Sequence, residues 1–186
     1  MNFYMPIEDI FEISGRGIVV TGTILSGSIE VNEQIEIVSS ETKSARVTGI
    51  ERLKKLLDRA EEGDNVGILL CGITKKDVRR GAVLASPGLI SSHQEVEADI
   101  YFFTHDEGGR KTAVHSNYRP QLKIYQQEFT CEIILPEEVG CAFPGDFINN
   151  VYVKLFTPCP LIDGQSFLLK ESGRVVAKGE ITNLLD

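Results

Sequence analysis

The chain has 186 residues, of which 42% are hydrophobic and 25% are charged, as in an ordinary soluble globular protein. This length predicts one or two domains, and no apolar run approaches the roughly 20 residues that a membrane-spanning helix needs. The net charge of −8 argues against a protein that coats nucleic acid non-specifically, because such binding depends on Lys and Arg neutralising phosphates. A local basic patch that recognises RNA by its shape is not excluded.

The first predicted element is a β-hairpin over Pro6–Gly22, in which two β-branched apolar runs flank the turn Ser14–Gly17. The glycines supply the positive φ values that a tight turn requires. Glu8 and Asp9 are adjacent at its start, and because successive strand side chains point to opposite faces, they cannot both decorate one face. Two explanations are open: an edge strand protected by charge, or a polar rim around an apolar groove.

Short strand candidates follow at residues 31–38, 44–50, 65–70 and 83–85, separated by glycine-containing turns. Many short strands with regular glycine turns indicate a closed or nearly closed antiparallel barrel. Residues 74–80 predict a short surface helix that Thr74 caps and Gly81 ends.

A small, polar stretch over residues 86–93 predicts a linker between two domains. Beyond it, residues 95–103 alternate cleanly between apolar and polar, a polar loop covers residues 104–117, and Ser172-Gly173 predicts the turn of a last hairpin. Further strands are predicted at residues 121–125, 129–134, 147–156, 166–171 and 174–180. We therefore predict an all-β chain of two consecutive antiparallel β-barrels, over residues 1–89 and 90–186.

The motifs of several enzyme classes are absent from the sequence. A GTPase needs G-x-x-x-x-G-K-[ST] to hold phosphates, and no Gly-Lys dipeptide occurs in the chain. The D-x-x-G matches at Asp64–Gly67 and Asp106–Gly109 are expected by chance, and no G-x-S-x-G or H-E-x-x-H motif is present. We expect a chain with no enzymatic activity.

The four cysteines, Cys71, Cys131, Cys141 and Cys159, form no C-x-x-C pair and have no His at zinc-ligand spacing. They predict buried, reduced thiols and neither a disulfide framework nor a metal site, and we expect no cofactor. The first six residues lack the basic region and apolar core of a signal peptide, so a cytoplasmic protein is expected.

Several separated motifs occur in the order found in one family: Pro6–Gly22, Gly63–Gly67, Asp106–Arg110, Tyr118–Gln121 and Pro144–Asp146. On these motifs the chain resembles bacterial elongation factor Tu over nearly its whole length. The likeness covers only the second and third domains of that family, and the nucleotide-binding first domain has no counterpart. The resemblance implies a non-enzymatic module of the translation machinery that contributes part of the surface for aminoacyl-tRNA.

The resemblance places the aminoacylated 3′ end of tRNA on the first barrel. It implies that the aminoacyl group meets Glu8, Asp9, Phe11 and Asn65, and that the terminal adenosine lies in a pocket formed by Ile13, Val19, Glu51 and Leu69. Apolar side chains offer a face to an unstacked base, and a carboxylate accepts a hydrogen bond from a ribose 2′-hydroxyl, a group that DNA lacks. In any barrel the apolar members of this set would also serve as core or rim residues.

The resemblance assigns contacts with the tRNA backbone to one residue of the first barrel and six of the second. These are Arg80, Arg110, Lys111, Gln121, Thr130, Lys170 and Glu171. Such contacts position an RNA and carry no sequence information. Affinity for tRNA is expected to be weak without the nucleotide-binding domain.

Residues 51–58 give two conflicting predictions. Leu53, Leu56 and Leu57 have the i, i+3, i+4 spacing of a helix, whereas the resemblance implies a strand and a loop. We predict the strand and loop, because the segment is too short for a stable isolated helix.

Two alternatives to the tRNA-binding function remain. The chain could be a protein-interaction module that kept the barrels and lost RNA binding, with a separate nucleotide-binding chain or another translation factor as its partner. It could also derive from a related GTPase of sulfate activation or selenocysteine delivery. For any of these, the polypeptide is either a fragment of a larger factor or an independent relative that starts at Met1, and neither a membrane nor DNA is an expected partner.

Overall fold

The computed structural model of the protein describes residues 2–186, so that Met1 lies outside the described part. The chain divides into two compact units, one that ends at Ser92 and one from His93 to Asp186. The regular structure of both is β, as predicted, and within residues 2–186 the one helical segment is a 3₁₀ turn, Lys75–Asp77. No helix in this part of the chain is long and apolar enough to cross a membrane.

Residues 2–92 of the first unit contain ten complete strands. They are β1 (Tyr4–Pro6), β2 (Asp9–Ile13), β3 (Gly17–Thr23), β4 (Ser28–Glu30), β5 (Gln34–Val38), β6 (Thr42–Arg52), β7 (Lys55–Leu57), β8 (Arg59–Glu61), β9 (Asn65–Cys71) and β10 (Val83–Ala85). The main sheet has the order β1-β10-β5-β6-β9-β3-β2, with β7 paired to β6, and β4 pairs separately with β8.

The main sheet of the first unit curls so that β1 approaches the stretch that follows β3. Tyr4 of β1 exchanges backbone hydrogen bonds with the stretch after β3: its N–H donates to Ser26 O over 3.1 Å, and its carbonyl accepts from Leu25 N over 2.9 Å. A Cβ at Gly22 would lie 2.3 Å from the Pro6 carbonyl oxygen, so only glycine allows β1 to cross β3 this closely. The result is the nearly closed barrel that the strand pattern predicts.

The core of the first unit comes from every second residue of its strands. Along β3 and β9 buried and half-buried residues alternate strictly, because period-two side chains divide between the core and the outer face. Phe3, Met5 and Ile68 are fully buried in this core. The same alternation puts the odd-numbered residues of β3 and β9 on the outer face.

The second unit is a closed barrel of six strands. They are β11 (Ser91–Phe102), β12 (Gln121–Ile124), β13 (Gln127–Ile134), β14 (Phe147–Leu161), β15 (Ser166–Glu171) and β16 (Arg174–Leu184). The barrel order is β11-β14-β13-β12-β15-β16. Because β16 pairs with β11, the barrel has no edge strand whose backbone N–H and C=O groups lack a hydrogen-bond partner.

The predicted helix over residues 74–80 is wrong in extent. The helical segment starts after Thr74 and ends at Asp77, and Val78 is already extended, with φ −120° and ψ 131°. Val78 is 4% exposed and packs into the core of the first unit. Burial of this side chain requires the chain to leave the surface, which ends the helix before Arg80.

The prediction of a strand and a loop over residues 51–58 is confirmed. β6 runs to Arg52, a two-residue turn at Leu53 and Lys54 has φ values of 51° and 64°, and β7 returns against β6. Leu53 is 89% exposed, so the helical spacing of the leucines does not mark a buried face.

Candidate nucleic-acid interface

Except for Glu8 and Arg80, the predicted tRNA-binding residues of the first unit lie on β2, β3, β9 and β6, which are neighbours in the sheet. Phe11 pairs with Val19, and Val19 pairs with Leu69, so these three residues form one row across the strands. In the next row, Asp9 pairs with Thr21, Thr21 pairs with Gly67 of β9, and Gly67 pairs with Glu51 of β6. Antiparallel partners have their side chains on the same face. The fold therefore brings Phe11 and Glu51 to one outer face.

Two glycines reduce the side-chain cover of this outer face. Gly49 lies opposite Leu69, and Gly67 lies between Thr21 and Glu51 in register. A Cβ added at Gly49 would lie 3.6 Å from Leu69 Cβ, and one added at Gly67 would lie 3.5 Å from Val19 Cγ1. Each glycine therefore has no side chain at a position next to an apolar residue. We call the area of Phe11, Val19, Gly49, Gly67, Leu69 and Glu51 the hollow face.

Ile13 and Asn65 extend the hollow face at opposite ends. Ile13 pairs with Gly17 and is 40% exposed, and its neighbour Gly17 adds no side chain to cover it. Asn65 pairs with Thr23, and its Nδ2 donates to Thr23 Oγ1 over 2.9 Å, which fixes the amide orientation. Neighbouring strands are about 4.8 Å apart and residues rise about 3.3 Å, so the four strands and the seven residues from Gly17 to Thr23 cover about 14 by 20 Å.

The structure supports the first explanation for the paired acids, an edge strand protected by charge. β2 is the last strand of the sheet order, so Asp9 lies on a charged edge strand that also borders the hollow face. Glu8 precedes β2, is half-buried, and its N–H donates to Thr21 O over 2.8 Å. Arg80 Nη2 lies 3.2 Å from Asp9 Oδ1, which places this predicted phosphate contact at the same edge.

Three predicted residues of the second unit form one row on the outside of the barrel. Gln121 of β12 pairs with Thr130 of β13 on one side and with Lys170 of β15 on the other. The Gln121 amide donates to Thr130 Oγ1 over 3.2 Å and accepts from it over 3.3 Å. Lys170 forms an ion pair with Glu128, which neutralises its charge.

Arg110 lies in a second group of side chains, which we call the Arg110 cluster: Arg110, Thr112, Tyr118 and Glu171. Arg110 pairs with Glu171, its Nη2 donates to Thr112 Oγ1 over 3.1 Å, and its guanidinium lies 5.0 Å from the centre of the Tyr118 ring. Burial, followed by the charge of Glu171, raises the pKa of Tyr118 to about 12. The Tyr118 side chain is therefore neutral at physiological pH, and its ring packs against the Arg110 guanidinium.

The sequence assigned no role to two residues of this cluster, Thr112 and Tyr118, of which Tyr118 starts the motif Tyr118–Gln121. The motif is the only sequence feature that points to Tyr118, since a residue in a loop belongs to no alternating or helical pattern. Lys111 follows Arg110 in the same loop and is exposed, so its ammonium group faces solvent.

The described residues offer little other chemistry. Burial raises the pKa of Cys131 and of Cys159 to about 12, so both thiols stay protonated and unreactive at neutral pH. Within residues 2–186, no group of three or more His, Cys, Asp or Glu side chains could hold a metal ion. What the geometry provides is an apolar hollow with a carboxylate rim on one unit and a polar, charge-paired surface on the other.

Comparison with protein families gives one match for each unit. Residues 17–85 match the model of elongation factor Tu domain 2, and residues 89–185 match that of the elongation factor Tu C-terminal domain. The first match contains the strands of the hollow face other than β2, and the second contains the whole Arg110 cluster. The chain belongs to the elongation factor Tu family and carries its domain 2 and its C-terminal domain.

Proposed function

We propose that this chain contributes to the binding of aminoacyl-tRNA in translation, with the 3′ end on the hollow face of the first unit. The acceptor and T stems contact the second unit at the Arg110 cluster and at the row formed by Gln121, Thr130 and Lys170. The observation that carries the proposal is the register that aligns Phe11, Val19 and Leu69 beside two glycines, with Glu51 in the next row. This role belongs to the cytoplasm and requires no catalytic group in the chain.

The hollow face suits an unstacked adenosine. Phe11 is 54% exposed although it is a large apolar residue, and an exposed aromatic next to missing side chains offers a surface on which a base can stack. Glu51 is exposed and can accept from a ribose 2′-hydroxyl. Asn65 and Asp9 provide an amide and a carboxylate for the free α-amino group of an aminoacyl ester.

The polar surface of the second unit suits the backbone of an RNA helix. Arg110 is held by Glu171, Thr112 and Tyr118, so its guanidinium is oriented before any ligand arrives. A preorganised guanidinium binds phosphate with little further loss of side-chain entropy. Gln121 and Thr130 add neutral groups that can bond ribose or phosphate oxygens.

The direct test is equilibrium binding of one tRNA species, aminoacylated and deacylated, to the whole chain at low salt. We expect weak binding that favours the aminoacylated form and that falls about tenfold in Glu51→Ala and in Arg110→Ala, since hydrogen bonds to charged groups contribute about 1.5–3 kcal/mol. Glu33→Ala, which removes an exposed acid that follows β4, is the control for Glu51→Ala. Equal affinity for both tRNA forms, with no response to either substitution, would contradict the proposal.

A second candidate function is a protein-interaction module without RNA binding. It is favoured by the pairing of three candidate cations: Arg80 with Asp9, Arg110 with Glu171, and Lys170 with Glu128. Cations that are already paired attract phosphate less, and the whole chain has a net charge of −8. The negative outcome of the tRNA experiment would support this candidate, whose partner would then be sought among nucleotide-binding chains and translation factors.

A further inference from the structure

A polar cavity of about 140 Å³ lies in the first unit, where the turn between β5 and β6 meets the 3₁₀ turn. Three cations, Lys43, Lys76 and Arg79, and two hydroxyl residues, Ser39 and Ser40, line it. A water molecule occupies about 30 Å³ of liquid, so the cavity has room for a ligand of several non-hydrogen atoms. We call this space the Lys76–Arg79 cavity.

The two carboxylates in the lining are already engaged. Asp77 Oδ2 accepts from Thr74 N over 2.7 Å and from Thr74 Oγ1 over 3.1 Å, which directs its charge to the start of the 3₁₀ turn. Glu41 Oε2 lies 3.6 Å from Lys43 Nζ. Each acid therefore has a local partner, and neither needs Lys76 or Arg79.

Lys76 and Arg79 differ from three of the four cations in the candidate tRNA interface. Across residues 2–186, neither takes part in an ion pair or a side-chain hydrogen bond, whereas Arg80, Arg110 and Lys170 are each paired with a carboxylate. Two unpaired cations that line one small cavity produce a local positive potential in a chain of net charge −8.

We propose that the Lys76–Arg79 cavity binds a phosphate oxyanion. Arg79 supplies a planar fork of donors that matches two phosphate oxygens, Lys76 supplies a mobile point charge, and the Ser40 hydroxyl supplies a neutral donor. The Ser39 hydroxyl is used within the turn, where it donates to Glu41 O over 3.2 Å. This bond shapes the turn that holds Ser40 at the cavity.

This site is separate from the hollow face. Lys43 is near the start of β6 and Glu51 is near its end, eight residues along one strand, which corresponds to about 26 Å. Arg79 lines the cavity, whereas its neighbour Arg80 pairs with Asp9 at the edge of the hollow face. Binding of inorganic phosphate to the cavity is therefore measured separately from binding of a tRNA 3′ end to the hollow face.

The test is an amide NMR titration of the whole chain with inorganic phosphate at low ionic strength, with chloride as the reference anion. We expect saturable shifts confined to residues 39–43 and 74–79, and an affinity about tenfold lower in the double variant Lys76→Gln/Arg79→Gln. The matched control is Lys54→Gln/Lys55→Gln, which removes two exposed positive charges at the β6–β7 turn and should change the affinity less than about twofold. Shifts no different from those with chloride, or equal affinity in Lys76→Gln/Arg79→Gln, would overturn the proposal.

A second arm identifies the source of the phosphate. A single-stranded uridine octanucleotide that shifts the same amides and displaces inorganic phosphate would assign the site to an RNA backbone. Phosphate binding that the octanucleotide does not compete for would assign it to a free phosphate or a small phosphate ester. Both results support an oxyanion site, and they differ only in which molecule carries the phosphate group.

Discussion

At the scale of single residues, the shape of the hollow face depends on the absence of side chains at Gly49 and Gly67. Gly67 lies beside Val19, and an added Cβ would make ordinary contact at 3.5 Å, without a clash. Space, and not backbone strain, is therefore what glycine provides here, because no unusual φ accompanies it. Glycine in a strand otherwise weakens the sheet, so its presence on this face favours a ligand that approaches closely.

Gly67→Ala is expected to separate binding from stability. The methyl group fits, so the free energy of unfolding should change by less than about 1 kcal/mol, whereas the affinity for aminoacylated tRNA should fall about tenfold because the hollow is partly filled. Urea denaturation and equilibrium binding at low salt measure the two effects. Gly140→Ala, at a position with open space around its Cβ, is the control and should change neither quantity.

Tyr118 gives a prediction about pH. Its pKa is raised from 10.0 to about 12 by burial and by Glu171, so the folded chain holds the phenol proton more tightly than the unfolded chain does. This contribution to stability is complete below pH 10 and is lost as the pH rises through about 12. Tyr118→Phe should therefore reduce the decline of the unfolding free energy between pH 10 and 12, measured by urea denaturation.

The decline should be reduced in Tyr118→Phe but not abolished. A hydrogen bond to Glu95 raises the pKa of Tyr152 to about 12 as well, and this group remains in the variant. An identical pH dependence in wild type and Tyr118→Phe would contradict the buried position of the Tyr118 hydroxyl beside Glu171.

At the scale of elements, the β6–β7 hairpin combines an exposed tip with unfavourable backbone angles. Leu53 and Lys54 both have left-handed φ values, which cost a residue with a Cβ roughly 1 kcal/mol, and Leu53 is 89% exposed. Asn-Gly is the pair that a two-residue hairpin turn of this kind prefers.

The double substitution Leu53→Asn/Lys54→Gly should therefore stabilise the protein by about 1 kcal/mol, measured as a higher midpoint of urea denaturation. Lys55→Gly is the contrasting variant. It places glycine inside β7, where the backbone does not need a positive φ, and should lower the free energy of unfolding by about 0.5–1 kcal/mol. A lower midpoint in the Asn-Gly variant would mean that the leucine at the tip contributes contacts that its exposure does not indicate.

The strands were predictable from the sequence because alternation and glycine turns are local signals. Residues 95–103 alternate on one strand, and Ser172-Gly173 gives the expected last turn, with φ values of 49° and 80°. The short helix at residues 74–80 was overestimated because its end depends on a long-range event, the burial of Val78 in the core. Sequence periodicity contains no information about which residue a distant core will take up.

The candidate site was predictable only in part, and for the same reason. Alternation alone places Phe11 and Ile13 on one face of β2, but their proximity to Leu69 and Glu51 depends on strand order, which residue spacing does not specify. The resemblance supplied that set. The pairing of Arg110 with Glu171 and its stacking on Tyr118 depend on side-chain conformations that appear only in three dimensions.

At the scale of the whole molecule, charge sets how strongly an RNA can be held. The chain has a net charge of −8, and the proposed backbone contacts include only four cations, Arg80, Arg110, Lys111 and Lys170. Binding that released counterions at these contacts alone would depend modestly on salt, in contrast to proteins that bind nucleic acid through a broad basic surface.

The logarithm of the tRNA binding constant should accordingly fall with the logarithm of salt concentration with a slope no steeper than about −4. Arg110→Ala should make the slope shallower by about one, because one phosphate contact is lost. Lys54→Ala, which removes an exposed cation of the β6–β7 turn, should leave the slope unchanged. A slope much steeper than −4 would place additional cations in the interface.

The central claim is that the outer face of β2, β3, β9 and β6 holds the aminoacylated end of a tRNA. Amide and methyl NMR shifts on addition of an aminoacylated acceptor-stem minihelix test it most directly, with the deacylated minihelix as the reference. The shifts are expected to centre on Phe11, Val19 and Leu69, to be larger with the aminoacylated minihelix and to be smaller in Glu51→Ala. Shifts confined to other surfaces, or identical with both minihelices, would contradict it.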